Sequence, residues 1–206
     1  MPRRPPFRLY LITDRRVRSD LPGALEGALS ALPRGAAAVQ LREKELSTRA
    51  LFELGQELRA ITRRHGAKLL VNDRLDVAKA IGADGVHLTG RSLSVADARA
   101  WLGPGALVGA SCHSLAELEA RREADFATLS PIFPSPGKGP AIGLEALAEA
   151  ARTSSLPLFA LGGIGPGEIP LVLAAGAHGV SAIRAWLEDD PALSTGRLWA
   201  RVQKEL

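Results

Sequence analysis

Cysteine, aromatic residues and long apolar runs are all scarce in this sequence, and each shortage excludes something. The only cysteine, Cys112, rules out an internal disulfide and a cysteine-based metal centre, which fits a reducing, cytoplasmic setting. No window is long and apolar enough to span a bilayer, and the basic opening MPRRPPFR runs into a short strand-like segment without a cleavage site. Secretion and membrane insertion are therefore not expected. Aromatics amount to 4%, which predicts a core built mainly from Ala, Leu, Val and Ile, the composition of helices packed on a buried sheet. The 26 Lys and Arg against 22 Asp and Glu are dispersed and have no aromatics interleaved with them. Nucleic acid is thus not an expected partner; the arginines suit phosphate-bearing small molecules or are plain surface charge.

What is present is a rhythm. Eight short apolar runs recur: FRLYLIT (7–13), AAAVQLR (36–42), AKLLVN (67–72), DGVHL (84–88), ALVGAS (106–111), DFATLS (125–130), LPLFALG (156–162) and HGVSAI (178–183). Helical spacing fills the intervals. Leu51, Leu54, Leu58 and Ile61 share one helix face, with Ser47 as N-cap and Gly66 as stop. Helices are predicted to begin near Leu21, Ser47, Arg74, Ser94, Ser114, Gly143, Gly167 and Pro191. Strands too apolar to have a wet face, alternating with helices, predict a parallel sheet, and eight units are the count that closes a (β/α)8 TIM barrel. An open doubly wound sheet would bury the same segments. No linker or composition break interrupts the 206 residues, so residues 1–206 are expected to form a single domain.

Either architecture gathers the residues that follow each strand on one rim, where ligands bind. In QLREK (40–44), Gln40, Arg42 and Lys44 alternate and would point one way as an anion clamp, unless Glu43 and Glu45 neutralise a solvent-facing turn. ALGGIGPGE (160–168) sets Gly162 and Gly163 between the seventh strand and its helix, where backbone amides can approach a phosphate. The eighth run ends in Ser181-Ala182-Ile183, and the loops after strands seven and eight are the usual barrel phosphate site; an ordinary tight turn is the alternative. SPIFPSPGKGP (130–140) reads as a mobile lid carrying Ser135 and Lys138 over an anion, or as a rigid solvent loop. Asn72 and Asp73 could supply oxygen ligands to Mg²⁺, or Asp73 could cap the next helix. His113, beside Ser111 in GASCHS, is a candidate proton carrier. His87, flanked by Val86 and Leu88, reads as packed in the barrel wall, and Cys112 as pointing outward.

Taken in order, LYLITD, VQLREK, VNDRLDVA, GADGVHL, GASCHS, LSPIFPSPGKG, IGLEAL, ALGGI and AGAHGVSAI resemble the thiamine phosphate synthase/TenI superfamily over nearly the whole chain. The resemblance implies a (β/α)8 enzyme of thiamine (vitamin B1) biosynthesis, with a thiazole phosphate held by the Gly162-Gly163 and Ser181-Ala182 loops. Two activities occur in that superfamily. Synthases join a hydroxymethylpyrimidine diphosphate to the thiazole phosphate and release pyrophosphate. Their pattern carries two Mg²⁺ aspartates, of which Asp73 matches one while the other falls on Ser92. Their Thr-x-Thr-Lys lid is Ser135-Pro136-Gly137-Lys138 here. TenI-type thiazole tautomerases resemble the chain at Arg91-Ser92-Leu93-Ser94 and Ser111-Cys112-His113-Ser114, and they move a proton with no metal or other cofactor.

The tautomerase is therefore the first expectation, with His113 as proton carrier and Arg42 with Lys44 or Lys138 on the substrate carboxylate. The synthase comes second, with Arg42, Lys44, Asn72 and Lys138 on the diphosphate and Asp73 on Mg²⁺. A non-catalytic phosphate-binding regulator is third. Gln40, Ser111 and Ser135 complete the expected substrate-binding set, and a homo-oligomer is left open.

Overall fold

The computed structural model describes residues 5–205; residues 1–4 of the basic opening lie outside them. Strands β1 (Leu9–Ile12), β2 (Ala37–Leu41), β3 (Lys68–Asn72), β4 (Gly85–Leu88), β5 (Leu107–Cys112), β6 (Phe126–Leu129), β7 (Leu158–Ala160) and β8 (Gly179–Ala182) alternate with helices. These are α1 (Leu21–Ser30), α2 (Thr48–His65), α3 (Leu75–Ala80), α4 (Val95–Leu102), α5 (Leu115–Ala120), α6 (Gly143–Thr153), α7 (Ile169–Ala174), the single turn α8 (Arg184–Leu187) and α9 (Pro191–Lys204). Each strand pairs in parallel with the next, and β1 also pairs with β8, Leu9 opposite Val180 and Leu11 opposite Ala182. The sheet is a closed eight-stranded barrel, which excludes the open-sheet alternative.

Local chemistry sets the helix ends. Ser47, Ser94 and Ser114 each accept the backbone N–H three residues on, at Ala50, Asp97 and Glu117, satisfying donors that the first turn leaves open. Gly66 ends α2 at φ 67°, a conformation glycine adopts without a Cβ penalty. One element departs from expectation: α7 begins at Ile169, near Gly167 as predicted, but α8 was not predicted, because four residues are too few to carry a periodic signal.

Alternation along the strands creates two cores. Outward side chains such as Leu9, Leu11, Val39, Leu41, Val86 and Leu88 pack under the helices in an aliphatic layer. Inside the barrel the composition is different: Phe7, Tyr10, Phe126 and Phe159 fill it, with Ile12, Ala38, Leu70 and Leu107. Four of the nine aromatics (five Phe, three Trp, one Tyr) are concentrated there, so the expectation of an aliphatic core holds only for the outer layer. Phe126 meets Phe7 and Tyr10 edge to face, at 5.5 and 5.2 Å between centroids, a geometry that adds roughly 1 kcal/mol per pair beyond burial. Gly109 makes the filling feasible, since a Cβ there would lie 2.5 Å from Phe126 Cζ and 2.7 Å from His87 Nδ1.

Carboxylates lock the end of the barrel where the strands begin. Asp84, just before β4, accepts Leu69 N–H at 2.9 Å and pairs with Arg59 and Lys68. Asp125, just before β6, does the same for Val108 N–H at 2.8 Å and pairs with Arg99 at 3.0 Å. Each ties a strand to its neighbour beyond the ladder. Ligand chemistry is left to the other rim.

Candidate active site

The rim at the strand ends is built from eight loops. After β1, Thr13 Oγ1 accepts the Arg42 N–H at 2.9 Å, which fixes the turn leaving β2. That strand ends at Leu41, a turn closed by Leu46 N–H on Glu43 O follows, and Lys44, inside that turn, does not continue the strand alternation. Glu43 does not neutralise its cationic neighbours: it is buried, and it accepts Arg15 N–H at 3.0 Å from the β1 loop. Burial pushes its carboxyl upward. Glu45 is exposed, 4.0 Å from Arg15.

Lys44 nevertheless joins a cluster. Partial burial is the main influence drawing its ammonium below the usual lysine range, and the charges of Arg42, Lys138 and Arg91 push the same way while Asp73 opposes them. The charges of Arg42, Arg91 and Lys138, from the loops after β2, β4 and β6, thus act on Lys44 with Asp73 opposing them, while Arg42 also acts on Asp14 of the β1 loop. Like charges so arranged cost stability unless an anion joins them.

Asp73 departs from the expectation of a helix cap. The N-cap of α3 is Arg74, which makes no side-chain cap bond. Asp73 instead has φ 65°, the one positive φ among the described non-glycine residues, a strained conformation of the kind retained at functional sites. Its carboxylate faces the turn after β4. The Ser92 hydroxyl donates to Oδ1, Thr89 Oγ1 donates to Oδ2 at 3.3 Å, and Thr89 N–H holds Ser92 Oγ at 2.6 Å. Ser92 therefore sits where a second carboxylate would face Asp73. Among the described residues no group of three or more His, Cys, Asp or Glu is placed to hold a metal.

The loops after β6 and β7 are joined. Ile132 N–H donates to Leu161 O at 2.9 Å and Phe133 N–H to Gly162 O at 3.1 Å. Gly162 and Gly163 have φ 100° and 65°, and a Cβ would meet Pro131 Cα at 2.8 Å from Gly162 and Phe133 Cβ at 2.7 Å from Gly163. The root of the 130–140 segment is thus fixed to the glycine turn; its tip, with Lys138, is exposed. Ser135 is half-buried and donates to Phe133 O at 3.2 Å. Gly162 and Gly163 amides donate to no carbonyl among the described residues. In β8, Ser181 is buried and its Oγ has no hydrogen-bond partner among the described residues, which leaves it available to a polar ligand or water, and Ala182 is buried beside it.

Below the rim lies a polar chain that the sequence did not reveal. Gln40 Nε2 donates to Tyr10 Oη at 3.1 Å, Tyr10 Oη lies 3.2 Å from His87 Nδ1, and His87 Nε2 lies 3.0 Å from Ser111 Oγ. Thr128 Oγ1 is 3.5 Å from the same nitrogen. His87 is therefore inside the barrel and not in its wall, a correction that follows from the outward facing of Val86 and Leu88. Burial, helped by the charge of Arg42, drives its pKa to about 3, and burial pushes the Tyr10 phenol upward. Asn72 is buried at the end of β3, opposite His87. His113 is exposed: Nδ1 lies 3.0 Å from Glu117 Oε2, which also accepts the His113 N–H at 2.8 Å, tying the imidazole to the start of α5. Cys112 faces the outer core, as expected.

Fold and rim together define the class: a closed (β/α)8 barrel with a cationic mouth. Within that class, this chain is a member of the thiamine monophosphate synthase (TMP-TENI) family, whose model matches residues 9–186. A putative thiamine-phosphate synthase of Geobacter sulfurreducens is 47% identical over 193 residues, 90% of this chain and 89% of that protein. A putative thiamine-phosphate synthase 2 of Aquifex aeolicus is 41% identical over 88% of this chain and 98% of its own. The solved thiamine phosphate pyrophosphorylase of Pyrococcus furiosus superposes with a TM-score of 0.89 at 33% identity, covering 98% of both chains. The protein is an enzyme of thiamine biosynthesis.

Proposed function

We propose that the protein is a thiamine-phosphate synthase, joining a hydroxymethylpyrimidine diphosphate to a thiazole phosphate and releasing pyrophosphate. The observation that carries this reading is the convergence of the charges of Arg42, Arg91 and Lys138 on Lys44, with Asp73 opposing them. A substrate carboxylate would need one or two cations; a diphosphate, with its greater charge, makes use of four. The names of the relatives point the same way and reverse the order that sequence alone gave to tautomerase and synthase.

In this reading Gly162 and Gly163 amides, Ser181 and Ala182 receive the thiazole phosphate. Arg42, Lys44 and Lys138, with Ser135, hold the diphosphate; Gln40, Asn72 and Ser111 line the floor beneath it. Mg²⁺ takes oxygen ligands, commonly one or two carboxylates with substrate phosphates completing its shell. Asp73 with the Ser92 hydroxyl is an oxygen set that fits. Held there, Mg²⁺ would supply neutralisation of the charge on the departing pyrophosphate. The protein's own part is to align the two rings and to place fixed cations where charge develops. His113, paired with Glu117, has no step in this reaction.

One observation favours the tautomerase instead: the hydroxyl of Ser92 where synthases carry a second aspartate. Incubation with both substrates and Mg²⁺, followed by mass analysis of the product, separates the two. The synthase yields thiamine phosphate. A tautomerase leaves both substrates unjoined.

A further inference from the structure

We propose that Tyr10 and His87 are positioning residues that hold a one-way hydrogen-bond chain through the barrel, so that Gln40 is presented to the mouth as an acceptor and Ser111 as a donor. This deepens the synthase reading by assigning what sets the polarity of its floor. The direction follows from valence. Gln40 Nε2 donates to Tyr10 Oη at 3.1 Å, so the single phenolic proton is free for His87 Nδ1 at 3.2 Å. A neutral imidazole has one N–H. With Nδ1 accepting, that proton lies on Nε2 and points at Ser111 Oγ, 3.0 Å away. Ser111, its oxygen so occupied, keeps its own O–H for the mouth; Gln40, its amino group engaged, keeps its carbonyl.

The surroundings hold the chain together and keep the imidazole neutral. Gln40, Tyr10 and His87 are buried, so water cannot readily reverse a link. Gly109 leaves the space in which the imidazole lies, since a Cβ there would sit 2.7 Å from Nδ1. Imidazolium would need both nitrogens as donors, and burial beside Arg42 disfavours it. Phe126 stands edge-on to Tyr10, 5.2 Å between centroids, and restricts the ring that joins the two halves of the chain. A flipped Gln40 amide would reverse every link, placing the proton on Nδ1 and leaving Ser111 as donor to His87.

The test is the tautomer of His87. In full-length protein labelled with ¹⁵N in its histidine rings, long-range ¹H–¹⁵N spectra of the wild type, with His87→Asn identifying the resonance by its loss, should show Nδ1 bare and Nε2 protonated. A protonated Nδ1 overturns the proposal. Tyr10→Phe should shift the ring toward a mixture of tautomers; an unchanged ring would also overturn it. In activity assays, His87→Gln keeps an amide donor near the Nε2 position and His87→Asn does not, so the KM for the diphosphate substrate should rise about fivefold more in the second. Equal KM values with equal loss of Tm would mean packing alone. If the wild type makes no thiamine phosphate, the synthase reading fails and the tautomer by itself decides the proposal.

Discussion

Replacing Ser92 by Asp tests the arrangement at Asp73 with a sign that changes when Mg²⁺ is added. The Ser92 hydroxyl is in hydrogen-bond contact with Asp73 Oδ1, so an aspartate there would bring two carboxylate charges to about 4–5 Å. At an effective dielectric of about 20 their repulsion is roughly 3–4 kcal/mol. Asp73 and Ser92 are only half-buried, and water reduces this to about 2 kcal/mol. The lost hydroxyl–carboxylate bond adds about 1 kcal/mol. In EDTA, Ser92→Asp should therefore melt roughly 6–12 °C below the wild type, at about 2–4 °C per kcal/mol for a domain of this size. With millimolar Mg²⁺ most of the loss should return, because a two-carboxylate set binds the ion more tightly. The Mg²⁺ concentration for half-maximal pyrophosphate release should fall about tenfold, the equivalent of about 1.4 kcal/mol. Thermal melts across an Mg²⁺ series read the first effect and initial rates the second. A Tm deficit that Mg²⁺ does not repair, with an unchanged half-saturation, would refute Asp73 and residue 92 as the groups that would hold the ion.

Lys44→Met should weaken binding of the diphosphate substrate while relieving repulsion. Its ammonium is drawn below the ordinary lysine range by partial burial and by Arg42, so the folded protein carries a cost that is full below that depressed pKa and fades as pH rises from it to the ordinary lysine value. The variant should melt above the wild type at pH 7, show a KM for the diphosphate about tenfold higher, and show a smaller loss of affinity with added salt; a lower Tm would contradict the reading of Lys44 as part of a like-charge cluster. Gly163→Ala, at φ 65° with Phe133 Cβ 2.7 Å from the added methyl, should cost about 1–3 kcal/mol and raise the KM for thiazole phosphate about tenfold or more, measured by steady-state kinetics. Asp125→Ala removes the acceptor of Val108 N–H and the partner of Arg99 at the opposite end of the barrel. A loss of about 2–3 kcal/mol should appear in urea titration, with kcat unchanged at 25 °C.

The barrel was legible because its signals are local and repeated. Eight apolar runs, serine caps at 47, 94 and 114, and Gly66 each carry information within a few residues, and the count of units then points to closure. His87 was misplaced by reading Val86 and Leu88 as neighbours in the same layer. In a strand they face the opposite side, so their outward burial is what turns His87 inward; the same parity would have found Tyr10 between Leu9 and Leu11. Other features depend on contacts distant in sequence. Glu43 is buried because the β1 loop supplies Arg15 N–H, and nothing within QLREK announces this. Asp73 could be a cap or a metal ligand until its φ and its contact with Ser92, nineteen residues on, removed the first. Arg91 joins the cationic mouth only because barrel closure gathers the loop after β4 on the same rim as those after β2 and β6. The root of the 130–140 segment is tied down by the glycine turn, a pairing between two loops that each read as independent.

Pyrophosphate release by the unmodified enzyme is the plainest readout of synthase chemistry. With hydroxymethylpyrimidine diphosphate, thiazole phosphate and Mg²⁺ all present, release should be steady and should stop when any one of the three is withheld. No release above the uncatalysed background, with thiazole phosphate still binding, would contradict the synthase reading.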